Sequence, residues 1–120
     1  MDAMSSPLVD LIVLRCADLD QSRQFYHALG LSLALEQHGG GPRHYSCAMG
    51  GLVLELYPMG SGVGTAGLRL GIRVADVSAV VGAVRDSGLG EVVRYTGAAP
   101  VHALLRDPDG HTIQLEQHGT

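Results

Sequence analysis

The chain has 120 residues, the size of one domain and enough for a hydrophobic core without metal or disulfide staples. Its basic residues are eight Arg and no Lys, and with 12 acidic residues the net charge is −4, which excludes the basic footprint a nucleic-acid partner requires. Hydrophobic residues make up 46% and charged residues 17%, as in a soluble globular protein, and no apolar run approaches the roughly 20 residues that span a bilayer.

Met1 to Pro7 has no basic start followed by an apolar stretch, so it does not read as a secretion signal, and the cytoplasm is the expected location. In that compartment Cys16 and Cys47 are expected as reduced thiols rather than as a disulfide. Leu8 to Cys16 is an apolar run that predicts a strand. A helix follows, with Asp18 as its cap, Gln21 three residues on as in a capping box, and Gly30 as a left-handed stop. Its apolar stripe is Leu19, Phe25, Tyr26 and Leu29. Shorter strands are predicted at Leu31 to Glu36, His44 to Ala48 and Leu52 to Tyr57, with Gly39-Gly40-Gly41-Pro42 as a hairpin loop and Met49-Gly50-Gly51 as a tight turn.

Met59 to Gly67 reads as a flexible linker, and the pattern then begins again. Leu68 to Val74 is a strand, Asp76 a cap, Val77, Val80, Val81 and Val84 an apolar stripe, and Gly88 a stop. Strands follow at Glu91 to Tyr95, Ala103 to Arg106 and Thr112 to Glu116, the last preceded by the turn Asp107-Pro108-Asp109-Gly110. Leu14 to Leu31 recurs as Ile72 to Leu89, and 72 − 14 and 89 − 31 both equal 58. At that offset Arg15, Ala17, Asp18, Gly30 and Leu31 match Arg73, Ala75, Asp76, Gly88 and Leu89. The chain is therefore read as an α+β fold of two tandem βαβββ modules in a single domain, 8–118. Module one is about 8–58, the linker 59–67 and module two about 68–118.

Alternation divides the strands into two faces. Ile12, Leu14, Leu52, Leu54, Leu56, Leu68, Leu70, Ile72, Val74, Ile113 and Leu115 form a hydrocarbon face for the helices to cover. The opposite face carries Leu11, Val13, Arg15, Val53, Glu55, Tyr57, Arg69, Gly71, Arg73, Thr112, Gln114 and Glu116. That face either meets water or curls around a cleft.

The motifs Arg15-Cys16-Ala17-Asp18-Leu19, Ser22-Arg23-Gln24-Phe25-Tyr26 running to Leu29-Gly30-Leu31, Val53-Leu54-Glu55-Leu56, and Asp107-Pro108-Asp109-Gly110 before Ile113-Gln114-Leu115-Glu116 resemble the glyoxalase, bleomycin-resistance and extradiol-dioxygenase superfamily, the vicinal oxygen chelate fold. The resemblance spans Leu8 to Glu116. It implies a curved mixed sheet around a cleft with the helices outside, and a divalent metal held by the first and last strands of each module. Carried over by position, the metal-holding places are Leu11, Glu55, Arg69 and Gln114, of which Glu55 alone is a usual ligand. Leucine has no lone pair, and a permanently charged Arg repels a cation, so no family-type metal and no cofactor are expected. A divalent metal held through Glu55 and unrecognised ligands is the alternative.

The six histidines lack ligand-type spacing and are read as scattered surface residues, although His44 and His102 lie on or beside strands. Asp107 to Gly110 has neither the 12-residue loop nor the closing Glu of a calcium hand and is read as a turn. Two functions follow from the polar face. One is a non-catalytic binder, similar to bleomycin-resistance proteins, holding an anionic or carbonyl-bearing metabolite or drug with Leu11, Arg15, Glu55, Tyr57, Arg69, Arg73 and Gln114. The other is a lyase, isomerase or dioxygenase-type enzyme in which Glu55 is the sole candidate catalytic residue. An ion pair between Glu55 and Arg69 is the expectation that needs no ligand, and it would make Glu55 a poor base. The resemblance also implies a homodimer whose clefts combine modules of one chain or of two.

Overall fold

A computed structural model describes residues 6–119. Met1 to Ser5, most of the segment read for a secretion signal, and Thr120 lie outside the described residues. Module one runs β1 (Leu11–Cys16), α1 (Leu19–Ala28), β2 (Ala34–Glu36), β3 (His44–Met49) and β4 (Leu52–Pro58). Module two repeats the order as β5 (Arg69–Val74), α2 (Val77–Ser87), β6 (Glu91–Thr96), β7 (His102–Arg106) and β8 (Thr112–Gln117). The strands form two four-stranded mixed sheets, ordered β1-β4-β3-β2 and β5-β8-β7-β6.

In each sheet the first and last strands of the module lie side by side in parallel, Leu11 opposite Val53 and Arg69 opposite Thr112, while the hairpins β3–β4 and β7–β8 are antiparallel. The parallel pairs bring residues far apart in sequence together, so Arg15 lies opposite Tyr57 and Arg73 opposite Glu116.

The helix boundaries follow from the caps. Asp18 accepts from the Gln21 N–H and Asp76 from the Ala79 N–H. Only the aspartate half of the predicted capping box forms in α1. Gly30 takes a φ of 100°, and the N–H groups of Gly30 and Leu31 donate to the carbonyls of His27 and Tyr26, the paired bonds of a Schellman stop. That commits the Leu31 backbone to the helix end, which is why β2 is only three residues long. β1 begins at Leu11 rather than Leu8, leaving Leu8 and Val9 exposed ahead of it.

Leu14, Leu54, Leu56, Ile72, Val74, Ile113 and Leu115 from the predicted hydrocarbon face are buried, against Phe25, Tyr26 and Leu29 of α1 and Val77, Val80, Val81 and Val84 of α2. Each such side chain contributes about 1.5–3 kcal/mol on leaving water. Cys16 and Cys47 are free and buried. Burial first, with the charges of Asp109 and Asp107 adding, pushes the Cys16 thiol up to about 12, so it is no nucleophile near neutral pH.

The modules are joined by α1 packed on α2 and by a polar junction. The Tyr26 hydroxyl donates to Asp107, whose carboxylate also accepts from His111 Nδ1 and from the backbone N–H groups of Asp109 and His111. Asp109 accepts from the Ala17 N–H and the Ser22 hydroxyl, while Thr65 of the linker meets His111 Nε2 and accepts from the Arg15 N–H. The predicted turn Asp107–Gly110 is present, closed by the Gly110 N–H on the Asp107 carbonyl, and it also anchors helix one.

Candidate functional site

The seven predicted site residues divide by module. On the polar face of module one, β1 supplies Leu11 and Arg15 and β4 supplies Glu55 and Tyr57. The Arg15 guanidinium sits 5.3 Å from the Tyr57 ring centre, and the other side of the arrangement is His44, stacked on Tyr57 at 4.2 Å with 8° between the planes. On module two, Arg69 donates through Nε and Nη2 to Gln114 Oε1 at 3.2 and 2.6 Å, Gln114 Nε2 donates to Glu116, and Arg73 lies 3.5 Å from Glu116. Among the described residues no hydrogen bond or ion pair joins the two groups.

Within one chain no Glu55–Arg69 ion pair forms among the described residues. Within the chain Arg69 is taken up by the amide beside it on the sheet, and Glu55 faces His44 at 3.5 Å. The two carriers of opposite charge belong to separate sheets of the chain.

The histidines are also corrected. His44 is not on the surface but 1% exposed, and His111 is fully buried. His44 opens β3, directly opposite Glu36 of β2, so register places its ring on the polar face beside Tyr57. Its Nδ1 lies 3.2 Å from the Pro42 carbonyl. The same clamp recurs in module two, where His102 Nδ1 lies 2.6 Å from the Pro100 carbonyl, and 102 − 44 again equals 58. That recurrence of Pro-x-His was the available sequence signal for a matched pair of positions.

Arg69, Arg94, Pro100, His102, Leu104 and Gln114 wall a cavity of about 290 Å³ on module two, the lower end of the size range for small-molecule sites. Its chemistry is a guanidinium bonded to Gln114, a second Arg, an imidazole and the Glu116 carboxylate, beside the apolar Leu104 and Pro100. Such a wall donates to oxyanions and carbonyl oxygens.

The four positions that resemble a metal site do not fit a metal. Leu11 offers no donor atom, the Gln114 amide oxygen is already bonded by a cation, and that cation is Arg69 itself. Glu55 is left as one usual ligand of four.

The family profile described as Glyoxalase/Bleomycin resistance protein/Dioxygenase superfamily matches residues 8–115. The chain belongs to that superfamily. A putative lactoylglutathione lyase of Brassica oleracea var. gemmifera is 34% identical across 90% of this chain, which spans only 43% of that relative. Among solved structures, TnmS3, an antibiotic binding protein from Streptomyces sp. CB03234, is 27% identical with a TM-score of 0.71, covering 95% of this chain and 98% of its own. A hypothetical protein from S. aureus shares the fold at a TM-score of 0.73 and 22% identity, with 92% of each chain covered. As a superfamily member the chain carries the two-module architecture. Its departure from the pattern lies at Leu11 and Arg69, where the resemblance requires donors. None of the described helices is long and apolar enough to cross a membrane.

Proposed function

We propose that this chain is a small-molecule-binding member of the superfamily that takes an anionic or carbonyl-bearing metabolite or drug against the polar face of module two. The observation that carries the reading is Arg69, oriented by two hydrogen bonds to Gln114, in the wall of the 290 Å³ cavity. An Arg fork oriented before the ligand arrives loses less freedom on binding, and it presents two or more donors to one oxyanion. Arg94 and His102 add donors to the same wall, and Arg73 stands on the same sheet, beside Glu116. The likeness to TnmS3 along nearly the whole of both chains supports binding rather than turnover.

In this reading the protein works in the cytoplasm as a homodimer. Leu11, Arg15, Glu55 and Tyr57 of one subunit then close the cleft over Arg69 and Gln114 of the other.

The test is a thermal-shift screen of the purified chain against small carboxylic acids and carbonyl-bearing antibiotics, followed by calorimetry on any compound that raises the melting temperature. Arg69→Ala should weaken such a compound by about tenfold or more, since charge-assisted hydrogen bonds contribute about 1.5–3 kcal/mol. Arg69→Lys should recover part of that loss. Unchanged affinity in Arg69→Ala would place recognition elsewhere. The second reading is a lyase, isomerase or dioxygenase-type enzyme that uses a metal bound through Glu55 and ligands other than the inherited ones.

A further inference from the structure

On the polar face of module one, a buried ring nitrogen of His44 faces two carboxylates. The Pro42 carbonyl can only accept, so His44 Nδ1 is the donor to it and Nε2 is the ring nitrogen left to face the carboxylates. That Nε2 is buried with no hydrogen-bond partner among the described residues. It points at two carboxylates, Glu36 Oε1 at 3.6 Å and Glu55 Oε2 at 3.5 Å. A fourth donor stands beside them: the ligand atoms of Glu36, His38 and His44 all lie within 4.8 Å of one another.

We propose that Glu36, His38 and His44, with Glu55 beside His44, form a site for a divalent transition-metal ion, displaced from the inherited position and confined to module one.

Four features support it. Two donors each about 2.1 Å from a tetrahedral metal stand about 3.3 Å apart, close to the 3.5 and 3.6 Å separations seen here before any ion draws them in. The Nδ1–H to carbonyl bond at Pro42 is the arrangement that orients metal-ligating histidines and fixes their tautomer. Two carboxylates with two neutral imidazoles offset the charge of a dication, and this mixed nitrogen and oxygen set suits zinc, cobalt, nickel or iron(II) rather than calcium. Access is also open, because Glu36 and His38 lie toward solvent while His44 forms the buried floor. His38 is positioned by its loop, whose carbonyl accepts from the Gly41 N–H while Gln37 donates to the Gly41 carbonyl.

Two comparisons inside the chain sharpen the assignment. Asp107, Asp109 and His111 also cluster, but their ligand atoms are already hydrogen-bonded to Tyr26, Ser22, Thr65 and backbone N–H groups, so that cluster is structural. In module two His102 keeps the proline clamp, yet Thr96 stands opposite it where Glu36 stands opposite His44, and Gln114 replaces Glu55. The first histidine thus faces two carboxylates, whereas His102 retains a single acidic neighbour, Glu116, opposite it on β8.

The experiment uses the full chain, stripped with a chelator, desalted and titrated with zinc sulfate alone, with cobalt(II) chloride as a spectroscopic probe. One equivalent of zinc per chain should survive desalting, the melting temperature should rise, and cobalt should give visible bands of a low-coordinate nitrogen and oxygen site. Glu36→Gln, at a partly exposed position, should weaken zinc by about tenfold or more, His44→Gln should abolish retention, and the exposed His27→Gln should change nothing. If His44→Gln fails to fold, Glu36→Gln and Glu55→Gln decide. Failure to retain zinc, or wild-type affinity in both Glu variants, overturns the site. Because the readout is metal content, loss of the ligand affinity proposed for module two leaves this result untouched.

Discussion

At the scale of single residues, Asp107 carries more structure than any other polar group described. Burial works to raise its pKa, but hydrogen bonds from His111 and Tyr26, followed by the charge of His111, hold it below its ordinary value of 3.8. A carboxyl depressed on folding stabilises the fold at pH above its unfolded pKa, and that contribution is lost as pH falls through the lower, folded value. Asp107→Asn should therefore cost about 3 kcal/mol at pH 7 by leaving buried donors poorly matched. It should also flatten the loss of stability between pH 7 and pH 3, and urea midpoints across that range measure both effects. The sequence marks Asp107 to Gly110 as a turn because Pro and Gly announce one locally. It does not mark the turn as the junction, because Tyr26 is 81 positions away and no local pattern encodes that partner. His44 escaped for a similar reason: its burial depends on facing Glu36 and stacking on Tyr57, both set by register rather than by neighbours in sequence.

Elements were far more legible, since helix caps and alternating strands are written in residues that lie close together. Asp18, Asp76, Gly30 and Gly88 stand where the predicted starts and stops require, and Val77, Val80, Val81 and Val84 are all buried. What patterning does not convey is how closely one element passes another. At the entry to β6 a Cβ on Gly90 would stand 2.5 Å from Phe25 Cε2 and 2.7 Å from the Arg106 carbonyl oxygen, distances no real contact adopts. The ring and the backbone cannot both retreat, because Phe25 is buried in the seam between the modules. Gly90→Ala should thus destabilise by about 2 kcal/mol through overpacking, read as a lower denaturant midpoint with an unchanged slope.

For the molecule as a whole, the repeat at an offset of 58 disclosed the architecture, and the division into two sheets explains why the site was less legible. Candidate residues were placed on one shared face, whereas the chain folds them onto two, with β1 and β5 each at a sheet edge. A radius of gyration of 15.1 Å, against about 13.6 Å for a compact chain of this length, and extents of 48 × 45 × 23 Å describe a flattened body. Leu8, Val9 and Leu11 stand exposed along its first edge. A second copy covering those residues should give a dimer mass in light scattering at micromolar concentration, and Leu11→Asp should shift it to a monomer. A monomeric wild type would leave each cleft half-walled and remove the basis for a shared site. The duplicated Pro-x-His clamp has a consequence of its own. His44 and His102 share one Nδ1 clamp but sit among different charges, two carboxylates around the first and two guanidinium groups with the single carboxylate of Glu116 around the second. In a nitrogen-15 spectrum the two rings would serve as signal and built-in reference, so that any species drawn to one charge environment and not the other is registered as a difference within a single molecule.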